Sequence, residues 1–442
     1  MEVELKSLDW AYMGEGNRHV VCRYCAKDGT SWDPSLSGHV LRLVKRNRSI
    51  NSTLVMKMSS LVSDRVLNPF WGFGAVPQSR LVPVSRSFVI ELRERILPLR
   101  PPHRTEYDLD ELAEYCELIQ DATLSLEHYF PNHNVASTLS VELKVKCGLK
   151  SCSAFIGEEN AVKRLYSRFQ IKQKDKIAMK GAFPSDYDPA DLCSGERDRI
   201  AAALKSLCEN PQNNLSIWRN GVSSCLADMN ESKFSMIVEA LSAVLSSEQK
   251  VVLTRLQLLQ SFDVLESEGA ACIFNRLENL VGSSYESEQL LLESIDESIL
   301  THAERMSCSL DGTEPFSPPW TAISTLFQLS KSETHEGLLA NATRLVNSMN
   351  REECVLALQL WLLALAAKDA SLMVNLTFMQ KHATISTNHQ GLGWGVVEIT
   401  GTDSCVTGTD SCVVAYSLSI VDMGIKDPEK CRGGRDLQRA RA

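Results

Sequence analysis

Five cations recur at every fourth position between residues 164 and 180: Arg164, Arg168, Lys172, Lys176 and Lys180. Four residues turn an α-helix by roughly 400°, so these side chains would stand about 40° apart along one winding ridge. Like charges at that spacing repel, and only Asp175 dilutes them. One reading is a solvated face. The other is a polyphosphate site, where ammonium and guanidinium groups meet their natural partner. Just upstream, Val141-Glu-Leu-Lys-Val-Lys-Cys-Gly148 alternates with period two. Val141, Leu143 and Val145 share one strand face, and Glu142, Lys144 and Lys146 share the other. The two lysines face either solvent or an anion.

Two carboxylates stand where rigid elements end. Asp369 follows the apolar run of residues 354–367 and precedes an apolar strand. Phosphoryl transfer needs a carboxylate held in this way, to orient a hydroxyl and accept its proton. The plainer reading is a residue closing a helix. Asp422 ends the strand predicted over residues 414–421 and is of the type that holds Mg²⁺. Gly14-Glu15-Gly16, between two strands, is either a plain hairpin turn or a loop that covers a nucleotide phosphate with backbone N–H groups. Cys22-Arg-Tyr-Cys25 has no second ligand pair at a spacing suited to zinc.

The elements that must position these residues divide the chain. With 442 residues, two domains or lobes are expected. Net charge is −9, yet residues 141–180 alone carry +6. A basic island in an acidic chain suggests a local anionic ligand rather than nucleic acid. The start, MEVELKSLDW, lacks a signal-peptide pattern. Residues 354–367, interrupted by Gln359, are too short to span a bilayer, so no membrane partner is expected. Fourteen cysteines without framework spacing suit reduced thiols in a cytoplasmic or nuclear protein.

Residues 8–45 read as three strands around a glycine turn, residues 79–100 as strand then helix, and residues 108–125 as a mixed element bending near Asp121. Helical periodicity marks residues 158–180, 195–208, 233–246, 250–268, 289–308, 319–330 and 352–367. Small and polar residues over 381–413 suggest a loop, and Thr400–Val406 is repeated unchanged as Thr407–Val413. The fold class is therefore α+β, with a small β-rich lobe (1–125), a larger, mainly helical lobe (126–426) and a disordered tail (427–442).

These pieces, in this order, resemble the inositol-pentakisphosphate 2-kinase family. The resemblance rests on Asp9-Trp-Ala-Tyr-Met-Gly-Glu-Gly16, Val40-Leu-Arg42, Arg100-Pro with Arg104, the 141–148 strand, Ser167-Arg-Phe169, Tyr187-Asp-Pro189, Pro211-Gln-Asn-Asn214, Ala367-Lys-Asp-Ala-Ser371, and Asp422 with Lys426. It implies a two-lobed, kinase-like monomer that uses ATP and Mg²⁺ to phosphorylate the 2-hydroxyl of inositol 1,3,4,5,6-pentakisphosphate. By the same resemblance, Gly14, Glu15, Gly16, His19 and Arg42 would serve the nucleotide, with Asp121 and Glu142 on its adenine side. Arg104, Lys144, Lys146, Arg168, Lys176, Asn213, Asn214, Lys426 and Lys430 would hold the substrate. Asp369 would orient the hydroxyl, and Asp422 would bind Mg²⁺.

The chain departs from the family's pattern at Met13 and His19 in the glycine loop, at Ser216, and after Lys430. The structural zinc of some members is expected to be absent, because Cys272 stands at its first histidine and no CxxC follows. An alternative is a weakened or inactive member that binds inositol polyphosphates as a sensor or scaffold. A protein-kinase-like enzyme ranks lower, for want of His-Arg-Asp and Asp-Phe-Gly motifs.

Overall fold

The computed structural model describes residues 5–26, 33–46, 56–57, 59–60, 62–71, 76–77, 79–124, 138–225, 231–293, 321–330, 337–379, 394–400, 411–421, 423, 426 and 428–432. It is a mixed α and β structure built on two antiparallel sheets. The first contains β1 (Trp10–Glu15), β2 (His19–Tyr24), β3 (His39–Val44), β4 (Ser79–Pro83) and β5 (Tyr115–Gln120), ordered β1-β2-β3-β5-β4. Alternation buries Val20, Cys22 and Tyr24 of β2 with Leu41 and Leu43 of β3. The helix Arg86–Ile96 meets this core through Phe88, Val89, Leu92 and Ile96. Ser85 caps that helix, its Oγ accepting from Phe88 N at 3.1 Å.

The second sheet contains β6 (Leu139–Lys144), β7 (Leu215–Arg219), β8 (Val222–Ser224), β9 (Ser371–Met379), β10 (Trp394–Thr400) and β11 (Ser411–Val421), ordered β10-β11-β9-β6-β7-β8. β6 is interior, and its apolar face (Val141 and Leu143, continued by Val145) is fully buried. The helix Arg351–Lys368 packs against helices Lys250–Ser261 and Glu266–Val281, with every residue from Glu353 to Ala367 buried. Within its apolar stretch, Gln359 donates to Leu291 O at 3.0 Å, which gives the amide a partner inside the core.

Several expected elements differ. The 158–180 helix breaks at Tyr166, which is extended, and restarts as Arg168–Lys180 behind a Ser167/Gln170 capping box. Arg164 therefore leaves the ridge and donates instead to Ile156 O at 2.9 Å. The 250–268 helix is two helices, divided where Asp263 Oδ1 accepts from Glu266 N at 2.7 Å. The 289–308 helix is found as Ser284–Glu293, its remainder lying outside the described residues. The helix Leu338–Ser348 was not anticipated.

The supposed loop over 381–413 carries β10 and the start of β11. Small and polar residues obscured β10, where Gly395 lets Tyr416 approach closely, since a Cβ would stand 2.9 Å from the Tyr416 hydroxyl. Thr400 pairs with Ser411 across these strands, while residues 401–410 of the duplicated segment lie outside the described residues. Within the expected tail, Pro428–Arg432 forms a 3-10 turn. Its Cys431 is buried and its Arg432 lies 2.7 Å from Glu288.

A buried polar hub joins the sheets. Asp121 Oδ2 accepts from Arg23 Nε at 2.6 Å, and Oδ1 accepts from Thr123 N (2.9 Å) and Oγ1 (2.7 Å). Ser140 Oγ lies 2.9 Å from Thr123 O and 2.5 Å from Asn375 Oδ1. Asn375 Nδ2 donates to Ala122 O at 2.7 Å. Arg23 also reaches Gly221 O in the β7–β8 turn.

Candidate active site

Asp369 closes the helix Arg351–Lys368, its N–H donating to Ala366 O at 3.1 Å. The preceding residue is immobilised: Lys368 Nζ lies 2.6 Å from the buried Asp263 carboxylate. The Asp369 carboxylate points the other way. It is about half exposed (51%), and Oδ2 lies 3.0 Å from Lys426 Nζ. Desolvation raises its pKa, but Lys426, then Arg168 and Lys146, outweigh that and hold it at about 2. Lys430 adds another cation. Desolvation and Lys426 push its ammonium down, and Asp369 partly offsets them.

The end of β6 enters the same cluster. Lys144 is in register with Ser371, two residues from Asp369, and its N–H donates to Asn214 O at 2.8 Å. Tyr187 Oη then donates to Val145 O at 2.6 Å. Lys146 follows with φ +57°, the left-handed region that a lysine adopts only when its surroundings impose it. Its ammonium is pushed down by desolvation and by Lys144 and Lys176, against the pull of Asp369. On the helix Arg168–Lys180, Lys176 Nζ donates to Gln212 Oε1 and Asn213 Oδ1, both at 3.2 Å. Asn214 is fully buried, and neither amide atom has a hydrogen bond among the described residues. The same holds for Ser371 Oγ. Native interiors rarely leave such groups unpaired, and here two flank Lys144.

The β1–β2 hairpin supplies a second set. The register shifts between Tyr12 and Gly14, and a Cβ at Gly14 or Gly16 would meet open space. Glu15 is spent inside the fold, gripped by Lys45 and by Arg100 Nε (2.9 Å) and Nη2 (3.0 Å). Desolvation pushes the His19 imidazole well below its usual value, and the charges of Arg42, Arg18, Lys426 and Lys45 add to this. Arg42 lies 3.2 Å from Glu117. Arg104 reaches the hairpin loop, donating to Asn17 Oδ1. Glu142 is half-buried on β6, and the Asp121 carboxylate is occupied in the hub between the sheets.

The structure thus gathers Lys146, Arg168, Lys426 and Lys430 around Asp369. Lys144 and Lys176 stand by Lys146 with Asn213 and Asn214 beside them, and His19 of β2 feels both Lys426 and Arg42 of β3. Arg104, Glu15 and Asp121 engage other partners. Asp422, expected to hold Mg²⁺, lies outside the described residues. Among the described residues no group of three or more His, Cys, Asp or Glu could hold a metal ion. Sequence reasoning missed Arg18, Lys45, Gln260, Asp263 and the role of Lys368. Arg18 and Lys45 flank quoted motifs and were within reach of pattern reading, whereas Gln260, near the end of the helix Lys250–Ser261, and Asp263, in the turn after it, belong to no such motif.

The family model for inositol-pentakisphosphate 2-kinase matches residues 12–440. An inositol-pentakisphosphate 2-kinase of Oryza sativa subsp. indica is 30% identical over 240 residues, covering 48% of this chain and 52% of that one. The Arabidopsis thaliana protein of that name is 29% identical over 251 residues (49% and 53%), and the Danio rerio protein 30% over 235 residues (50% and 45%). The chain spans about half the length of the curated relatives it matches.

Proposed function

This chain belongs to the inositol-pentakisphosphate 2-kinase family, and on that premise we propose that it transfers the γ-phosphoryl group of ATP to the 2-hydroxyl of inositol 1,3,4,5,6-pentakisphosphate, forming the hexakisphosphate. The observation that carries this reading is the half-exposed Asp369 carboxylate set among cations from three separate stretches of chain. A substrate with five phosphates suits that charge, since several points of attachment fix its register. The buried, unspent amide of Asn214 and hydroxyl of Ser371 would add contacts beside Lys144 once substrate binding parts the chain over them.

Asp369 would orient the acceptor hydroxyl and take its proton. With Lys426 against it, the carboxylate is a weak base. Substrate phosphates would draw Lys426 and Arg168 toward themselves, and the proton affinity of Asp369 would rise as the hydroxyl arrives. The arrangement thereby couples base strength to substrate binding.

The hairpin, with β3 beside it, suits a nucleoside triphosphate. The space beside Gly14 and Gly16 admits close backbone approach to a phosphate, Arg42 contributes charge, and a neutral His19 contributes a ring N–H. Asp121 would act indirectly, holding the chain that crosses between the sheets, with Glu142 nearby on the adenine side. Mg²⁺ held by Asp422 would neutralise charge on the transferring phosphoryl group. In support, Val421 pairs with Ser371, two residues from Asp369. The two sheets would be the cores of two lobes, residues 1–125 and 126–426, of a kinase-like monomer resident in cytoplasm and nucleus.

Incubation with ATP, Mg²⁺ and inositol pentakisphosphate, with products separated by anion exchange, tests the reading. Hexakisphosphate should accumulate. None above an Asp369→Ala background would overturn it, and ligand binding without turnover would favour the sensor alternative.

A further inference from the structure

Gln260 is 2% exposed near the end of the helix Lys250–Ser261. Its Nε2 donates to Ala367 O at 3.1 Å and lies 3.4 Å from Lys146 O. One amide group therefore contacts two stretches of chain that are far apart in sequence. Ala367 stands two residues before Asp369, and Lys146 is the left-handed residue after β6. Three residues beyond Gln260, Asp263 holds Lys368 at 2.6 Å. A single short segment thus fixes residues 367 and 368 in succession and leaves Asp369 as the side chain free to face the cations.

We propose that Gln260 is a positioning residue for phosphoryl transfer, setting the separation between the Lys146 ammonium and the Asp369 carboxylate. The proposal rests on the reading of the site given above. Gln260 touches neither the reacting atoms nor substrate. Its effect passes through the two carbonyls, one of which belongs to a residue whose backbone must be held in a sparsely populated conformation. Only a donor suits this place, because both neighbours are acceptors.

Gln260→Met preserves length and removes the donor. Hydrogen exchange on the free protein should then rise at the amides of residues 145–148 and 367–371, with the rest of the chain little changed. The kcat should fall about tenfold, the size of one buried hydrogen bond, with the KM for ATP unaltered. In a Lys146→Ala background the same substitution should cost less, because the ammonium whose separation from Asp369 it sets is gone while the hold on Ala367 remains. Gln260→Glu, which faces two carbonyls with an acceptor, should lose more than Gln260→Met. Gln260→Asn keeps the donors one methylene short and gives a milder form of the pattern should Gln260→Met fold poorly. Unchanged exchange at either peptide, or equal loss in both backgrounds, overturns the proposal. A wild-type chain without turnover would overturn the function reading, while the exchange experiment would still decide whether Gln260 clamps the two segments.

Discussion

Replacing Asn214 by alanine should stabilise the free protein while weakening its hold on substrate. The Asn214 side chain is fully buried, and both amide atoms lack hydrogen bonds among the described residues. Each such atom costs on the order of 1 kcal/mol or more, so the amide carries a penalty of about 2 kcal/mol. Truncation leaves a small void worth roughly 1 kcal/mol, and the net gain is ~1 kcal/mol. For a chain this long that moves Tm by only about 1 °C. Urea titration is the better assay, with the midpoint rising and the m-value unchanged. Titration calorimetry with inositol pentakisphosphate should show affinity falling roughly tenfold or more, the worth of a charge-assisted bond to phosphate. A variant that loses 1 kcal/mol or more, or that binds normally, would refute the idea that this amide is held in reserve for a ligand.

Other consequences can be tested alongside. Asp369→Asn should cut kcat by about 10³-fold, with substrate affinity preserved or improved, as separate rate and binding measurements would show. The Asp369 carboxyl is depressed to about 2 in the fold. Its stabilising contribution is therefore present above the ordinary value near 4 and lost as pH falls toward 2. Acid unfolding curves of wild type and Asp369→Asn should converge in that window. Gly14→Ala meets no neighbour, so it should fold normally yet raise the KM for ATP, which steady-state kinetics would detect. Asp121→Ala deprives Arg23 of its carboxylate, leaving it the Gly221 carbonyl and the Thr123 hydroxyl, and should cost roughly 3 kcal/mol in denaturant titration.

The sequence was legible where one local pattern determined one local outcome. Period-two alternation located β2, β3 and β6, and the apolar run located the helix ending at Asp369. The ridge of cations was visible too, although its first member was not part of it. The Ser167/Gln170 capping signal that starts the helix at Arg168 outweighs the charge periodicity running through it. The remainder depended on tertiary partners. Glu15 and Asp121 look like ligand-facing residues in their motifs, and they prove to be gripped by Lys45, Arg100 and Arg23 from other elements. β10 was hidden by the small and polar residues around it, and the place of its Gly395 emerges only against Tyr416. Gln260 bears no motif, because its importance comes from which two carbonyls the fold brings within its reach.

The pairing of β6 with β9 also bears on how the protein is made. Ser140 and Asn375 are in contact across 235 residues of sequence, and the same ladder brings Lys144 against Ser371. Contacts this distant close late, because the intervening chain must first be collected. On the ribosome, the strand that carries Lys144 emerges long before β9, and even once β7 has paired with its other side, the edge that β9 will cover waits unpaired. Chaperone capture would be concentrated in that interval, and the cluster of cations around Asp369 cannot assemble until β9 has been synthesised.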